Sequence, residues 1–204
     1  MGYMDNRRPS SWWLVALIGL AGLTVGALTS FGQTWLPINL SPLANSAGSW
    51  VAAAFGLCLP NRAPRRGVVF GTLALASMLG GYVIVSELRG FPTSSSMILF
   101  WTAAALVVGP VLGIGAAWAN STSEIQAGLA FSPLIGVLVG EGVHGLTAIA
   151  DTTPAIYWIC QIVVALGLAL VIGVVRLKTL RSVAYLLAGS AIVAGMMTLV
   201  FARL

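Results

Sequence analysis

Glu141 and His144, the chain's only histidine, stand three residues apart in a stretch that is otherwise too apolar for water, Gly136-Val-Leu-Val-Gly140-Glu141-Gly-Val-His144-Gly-Leu. That spacing puts both side chains on one side of a helix. A carboxylate beside an imidazole can bind a cation, pass a proton or hydrogen-bond a neighbouring helix. Residues 125–148 are long enough to cross a bilayer. An ionisable side chain in such a helix is costly, so it faces the bundle interior and marks a functional site. A buried carboxylate must also find a cation or strong donors. The competing reading is a Glu–His pair that only bonds an adjacent helix. Gly136 and Gly140 form a Gly-x-x-x-Gly pair that lets another helix approach closely. The fifth helix is therefore expected to be central and the best packed, so that Gly140→Leu costs more than Gly26→Leu.

The elements that must hold this pair are membrane helices. Of 204 residues, 58% are hydrophobic and 7% charged, and mean hydropathy is +0.98, which excludes soluble globular folds. Apolar runs predict an all-α, polytopic transmembrane bundle, a single domain over 1–204, with helices near 12–30, 42–59, 67–86, 96–118, 124–148, 154–175 and 181–202. The second is the weakest. It opens with Ser41-Pro42 and carries Asn45, Ser46 and Ser49, so six full spans plus a short, tilted or partly unwound second helix is the alternative to seven. Ser121-x-x-Glu124 reads as a capping box and Thr153-Pro154 as a cap followed by proline. The net charge of +5 reflects basic residues at span ends, where they orient the chain, and implies no nucleic acid. With seven spans and the N-terminus inside, Arg7, Arg8, Arg62, Arg65, Arg66, Arg176, Lys178 and Arg181 fall inside, and only Arg89 and Arg203 outside. The first span reads as retained rather than as a cleaved signal.

Threading that orientation through the helices brings unusual residues to one depth, the outer half. Gln33, Tyr82, Glu87, Glu141 and His144 come from outward-running helices. Asn45, Ser49, Trp50, Trp101, Thr102, Tyr157, Trp158 and Gln161 come from inward-running ones. Trp35, Trp101 and Trp158 also suit an interfacial aromatic belt. Belt chemistry does not account for Glu141, His144, Asn45 or Gln161. A pocket of aromatic faces and a few fixed polar groups suits a small molecule. Its candidate residues are Glu141, His144, Asn45, Trp50, Trp101, Tyr157, Trp158 and Gln161, and a flat heteroaromatic or cationic ligand would match them. An apolar ligand is the competing choice.

The run Gly32-Gln-Thr-Trp-Leu-Pro37, then Pro42-Leu-Ala-Asn-Ser-Ala-Gly-Ser-Trp50, Gly80-Gly-Tyr82 and Gly109-Pro110-x-x-Gly113, resembles a family of small bacterial integral membrane proteins without assigned function. In size, in the outer-half convergence and in its Glu141/His144 helix, the chain also looks like the substrate-binding S-components of energy-coupling-factor vitamin transporters, particularly those for thiamine-like heterocycles. That likeness implies a binding or transport subunit in the bacterial inner membrane.

Other chemistries lack their residues. Lys178 is the only lysine and lies in a loop, so a retinal Schiff base has no attachment point. Ser190 lacks the first glycine of a rhomboid-type nucleophile motif. One histidine cannot supply bis-histidine haem ligation, and one Glu-x-x-His is half a di-iron set. Cys58 and Cys160 show no metal or disulfide spacing. No catalytic residues, metal or cofactor are expected, and a membrane enzyme or an assembly protein remains the alternative function. The chain has no Gly-x-x-x-x-Gly-Lys-Ser/Thr motif, so ATP-driven transport would need partner subunits.

Overall fold

The computed structural model describes residues 12–202. Arg7, Arg8 and Arg203, which entered the charge partition, lie outside these residues. The fold is an all-α bundle: α1 (Trp12–Trp35), a 3₁₀ turn (Ser41–Ala44), α2 (Ala47–Cys58), α3 (Pro64–Leu88), α4 (Ser95–Ala119), α5 (Glu124–Ala148), α6 (Ala155–Arg176) and α7 (Leu180–Phe201). Six of these helices are long and apolar enough to cross a membrane, and α2 is the exception. In hydrocarbon every backbone polar group must be satisfied internally, so apolar runs of this length close into helices. Hydroxyl side chains start several of them: Ser46, Ser94, Ser123 and Thr179 each accept a backbone N–H from the first turn. The expected capping box at Ser121 is not formed. Ser123 takes the cap of α5, and Glu124 turns to another helix. Pro154 itself occupies the cap position of α6, with no side-chain bond.

The second span takes the alternative form, six full spans plus a short second helix. The helix predicted over 42–59 is interrupted at Asn45–Ser46 and runs only 12 residues from Ala47, about 18 Å, against about 30 Å of hydrocarbon. The chain still crosses the bundle there. Gly22 faces Ala74 and Ser77, Gly26 faces Met78 and Tyr82, and Ser86 Oγ donates to Ser30 Oγ, so α1 and α3 run parallel. The segment between them must return. It begins at Asn45, bonded to Gln33 near the end of α1, and finishes at Leu59, whose carbonyl accepts Asn120 Nδ2 just beyond α4. The described chain thus traverses the bundle seven times, once on a half-length helix. One end, here the basic end, gathers the starts of α3, α5 and α7; the opposite end is the distal end.

α5 is the most buried of the long helices and packs against α2, α4, α6 and α7. Its Gly140 meets Ala194 and Met197 of α7 at 2.8–2.9 Å from an added Cβ. The tightest approaches lie elsewhere. A Cβ on Gly26, Gly71 or Gly113 would overlap the facing backbone outright. The expected order of the two leucine substitutions therefore reverses, because a Cβ on Gly26 would overlap the Met78 carbonyl oxygen, whereas one on Gly140 lies 2.8 Å from the nearest atom, the Ala194 carbonyl oxygen. Gly67, Gly71, Gly109 and Gly113 lock α3 to α4 toward the basic end. Toward the distal end, large residues replace them and leave space on both sides of the seam.

Candidate functional site

Glu141 lies on the α5 face that meets α2 and α6, and its carboxylate is saturated by protein donors. Oε1 accepts Ala47 N at 2.7 Å. Oε2 accepts Ser46 Oγ at 2.6 Å, Gly48 N at 2.8 Å and Gln161 Nε2 at 3.0 Å. Two of these donors are backbone N–H groups at the start of α2, which an unbroken helix would have used internally. Breaking the second span inside the bundle leaves them without helical partners, beside the buried Ser46 and Glu141. The carboxylate satisfies them and meets the positive end of the helix dipole. Glu141 is the anchor of α2. Glu124, at the other end of α5, does the same for α7, accepting Lys178 N, Thr179 N and Ser182 Oγ at 2.9–3.1 Å.

His144 is absent from this network. Its ring stacks on Phe201 of α7, with centroids 4.6 Å apart and planes 15° apart. Gln161 joins the anchor and also donates to the Leu138 carbonyl. Trp158 is buried against Gly145, where any side chain would strike its indole, and its Nε1 is the one fully buried side-chain nitrogen or oxygen without a partner among the described residues. Tyr157 makes an edge contact with Trp158 at 4.8 Å.

Asn45, Trp50 and Trp101 come together elsewhere. With Gln33, Tyr82 and Met97 they wall a cavity of about 210 Å³ near the distal end, between α1, α2, α3 and α4. Trp50 lies 6.5 Å from Trp101 at an interplanar angle of 30°, and Tyr82 meets Trp50 edge-on at 6.2 Å. Tyr82 OH donates to Gln33 Oε1, and Gln33 Nε2 donates to Asn45 Oδ1. That relay ends in Asn45 Nδ2, which, like the Trp50 and Trp101 indole N–H groups, donates to no acceptor among the described residues. Ser46 and Ala47 form the chamber's floor and are the residues that Glu141 holds. The eight candidates thus divide: three line the chamber, Glu141 and Gln161 fix its floor from behind, Tyr157 and Trp158 pack beside that anchor on the α6-facing side of α5, and His144 alone turns away to α7. Sequence reasoning missed Ser46 as the partner of Glu141. A serine immediately before an apolar run was the available signal. Among the described residues no group of three or more His, Cys, Asp or Glu side chains gathers to hold a metal.

The fold and this buried polar network define a multi-pass membrane protein. Residues 5–204 match the model of a family of unknown function, DUF6518, and the chain belongs to that family. No curated protein and no solved structure matches the chain. The family membership agrees with the resemblance carried by the Gly32–Pro37 and Pro42–Trp50 runs. The likeness to S-components gains nothing from these comparisons.

Proposed function

We propose that this is an integral membrane small-molecule-binding protein whose ligand occupies the distal chamber walled by Trp50, Trp101 and Tyr82, with the basic end of the bundle facing the cytoplasm. The observation that carries the reading is the chamber's combination of aromatic walls and uncommitted N–H donors. Its volume lies below the roughly 300–1,000 Å³ typical of drug-sized sites, which suits a single or fused ring. Among the two ligand chemistries that aromatic faces favour, the structure supports the flat ring over the cation. Glu141, the carboxylate nearest to hand, is already spent on α2, and a bare cation in an apolar site is costly. The free donors call for acceptors on the ligand, so an uncharged ring with carbonyl oxygens fits. Binding would serve uptake together with partner subunits.

A second reading, a purely structural or assembly role, is favoured by one fact: four protein donors already occupy the Glu141 carboxylate. Thermal unfolding in lipid nanodiscs separates the two, with menadione, a flat ring bearing two carbonyls, as the probe. The binding reading expects menadione to raise the unfolding temperature of the wild type and to lose that effect in Trp101→Ala and in Asn45→Leu. No rise in the wild type, or equal rises in all three, would leave the assembly role standing.

A further inference from the structure

A second cavity, of about 310 Å³, opens on the opposite side of the α3–α4 seam. Ala76, Gly80, Val83, Ile98 and Ala105 are among the residues lining it, and apart from Thr72 and Thr102 the lining is apolar. Its rim residues Ile84 and Leu106 are more than half exposed, so the groove opens directly on the surrounding hydrocarbon. Leu79 lines both this groove and the aromatic chamber. The two spaces share one origin. Glycines clamp α3 to α4 toward the basic end, and the helices part beyond them, leaving the chamber on one side of the opening and the groove on the other. A single leucine side chain separates them.

Building on the ligand reading above, we propose that the α3–α4 seam is a lateral portal, and that the ligand is an amphiphile of the quinone type: an uncharged, carbonyl-bearing ring in the chamber with a hydrocarbon tail lying in the groove. Three features argue for this occupant together. The groove and the chamber share Leu79 as a wall, the groove's lining offers a tail only apolar contact and two threonine hydroxyls, and the chamber offers donors and aromatic faces without a charge. A headgroup bearing phosphate would find no cationic side chain among the chamber's lining residues. On this proposal Leu79 swings aside to join the two spaces, a local motion rather than a helix rearrangement. The tail gains packing contacts rather than escape from water, since lipid is as apolar as the groove.

The test uses the full chain in nanodiscs, with binding read from quenching of tryptophan fluorescence and ligand expressed as a mole fraction of lipid. Menaquinone-4 and menadione share a naphthoquinone ring and differ in the tail. The wild type should bind menaquinone-4 roughly three- to tenfold more tightly than menadione, a margin set by packing contacts alone. Thr102→Phe fills the groove from an exposed position, and Gly80→Leu fills it where an added Cβ meets only Leu23 at 3.8 Å. Both should abolish the preference and leave menadione binding intact. Menadione binding with no preference for the tailed molecule, or a preference that survives both substitutions, would overturn the portal alone and mark the groove as the seat of an ordinary acyl chain. Failure of both quinones to quench would overturn the portal and the binding reading together.

Discussion

Glu141 has the chemistry of an anchor, holding the start of α2 through Ser46, Ala47 and Gly48. Glu141→Gln would set an amide N–H against some of the donors that the carboxylate now accepts. Loss of a buried charged acceptor costs about 2–4 kcal/mol, and that is the destabilisation expected for equilibrium unfolding in detergent without ligand. His144→Ala should cost less than about 1.5 kcal/mol, the range of one aromatic stack. Equal losses from the two variants would restore the Glu–His pair as the functional unit. The reason they act apart is geometric. Three residues along a helix turn the side chain about 60° short of a full circle. In a glycine-rich helix packed closely on several sides, that angle suffices to send Glu141 to α2 and His144 to α7. The importance of Glu141 was legible in the sequence because a carboxylate in such a span needs donors. Their identity was not, since backbone N–H groups at Ala47 and Gly48 carry no sequence signature and lie more than ninety residues away.

Among the elements, hydropathy sufficed wherever a helix was continuous: α5 appears with the bounds expected, and the others within a few residues. It failed at α2, where an apolar composition persists through a break in the hydrogen-bond ladder. Pro42, Asn45 and Ser46 hinted at the break without locating the new helix start. Glycine patterns were likewise half informative. They mark close packing but do not reveal whether the neighbour is backbone or a movable side chain. Gly71→Leu should therefore destabilise the protein by about 3 kcal/mol or more, because the Gly109 carbonyl has nowhere to go. Gly195→Leu, with nothing within 4 Å of its Cβ, should change stability by less than about 0.5 kcal/mol. Comparable losses at the two positions, measured as shifts in the detergent unfolding midpoint, would show that α3 and α4 are not locked as described.

For the whole molecule, seven traversals place the Arg62 and Asp151 loops on opposite faces of the membrane. In a background of Cys58→Ala and Cys160→Ser, an impermeant thiol reagent applied to intact cells should label Asp151→Cys and Thr93→Cys, while Arg62→Cys should react only after lysis. Labelling of Arg62→Cys in intact cells would contradict the proposed orientation. The convergence of polar and aromatic residues at one depth was visible from topology alone. Its division into a chamber and a separate anchor was not, because depth says nothing about azimuth around the bundle. Whether a ligand binds in the proposed chamber can be read by photocrosslinking in nanodiscs with a photoreactive naphthoquinone. Chamber binding should give adducts on the peptides around Trp50, Tyr82 and Trp101, displaced by excess menadione. Adducts confined to the peptides of His144 and Phe201, or spread along the lipid-facing sides of α6 and α7 without displacement, would contradict it.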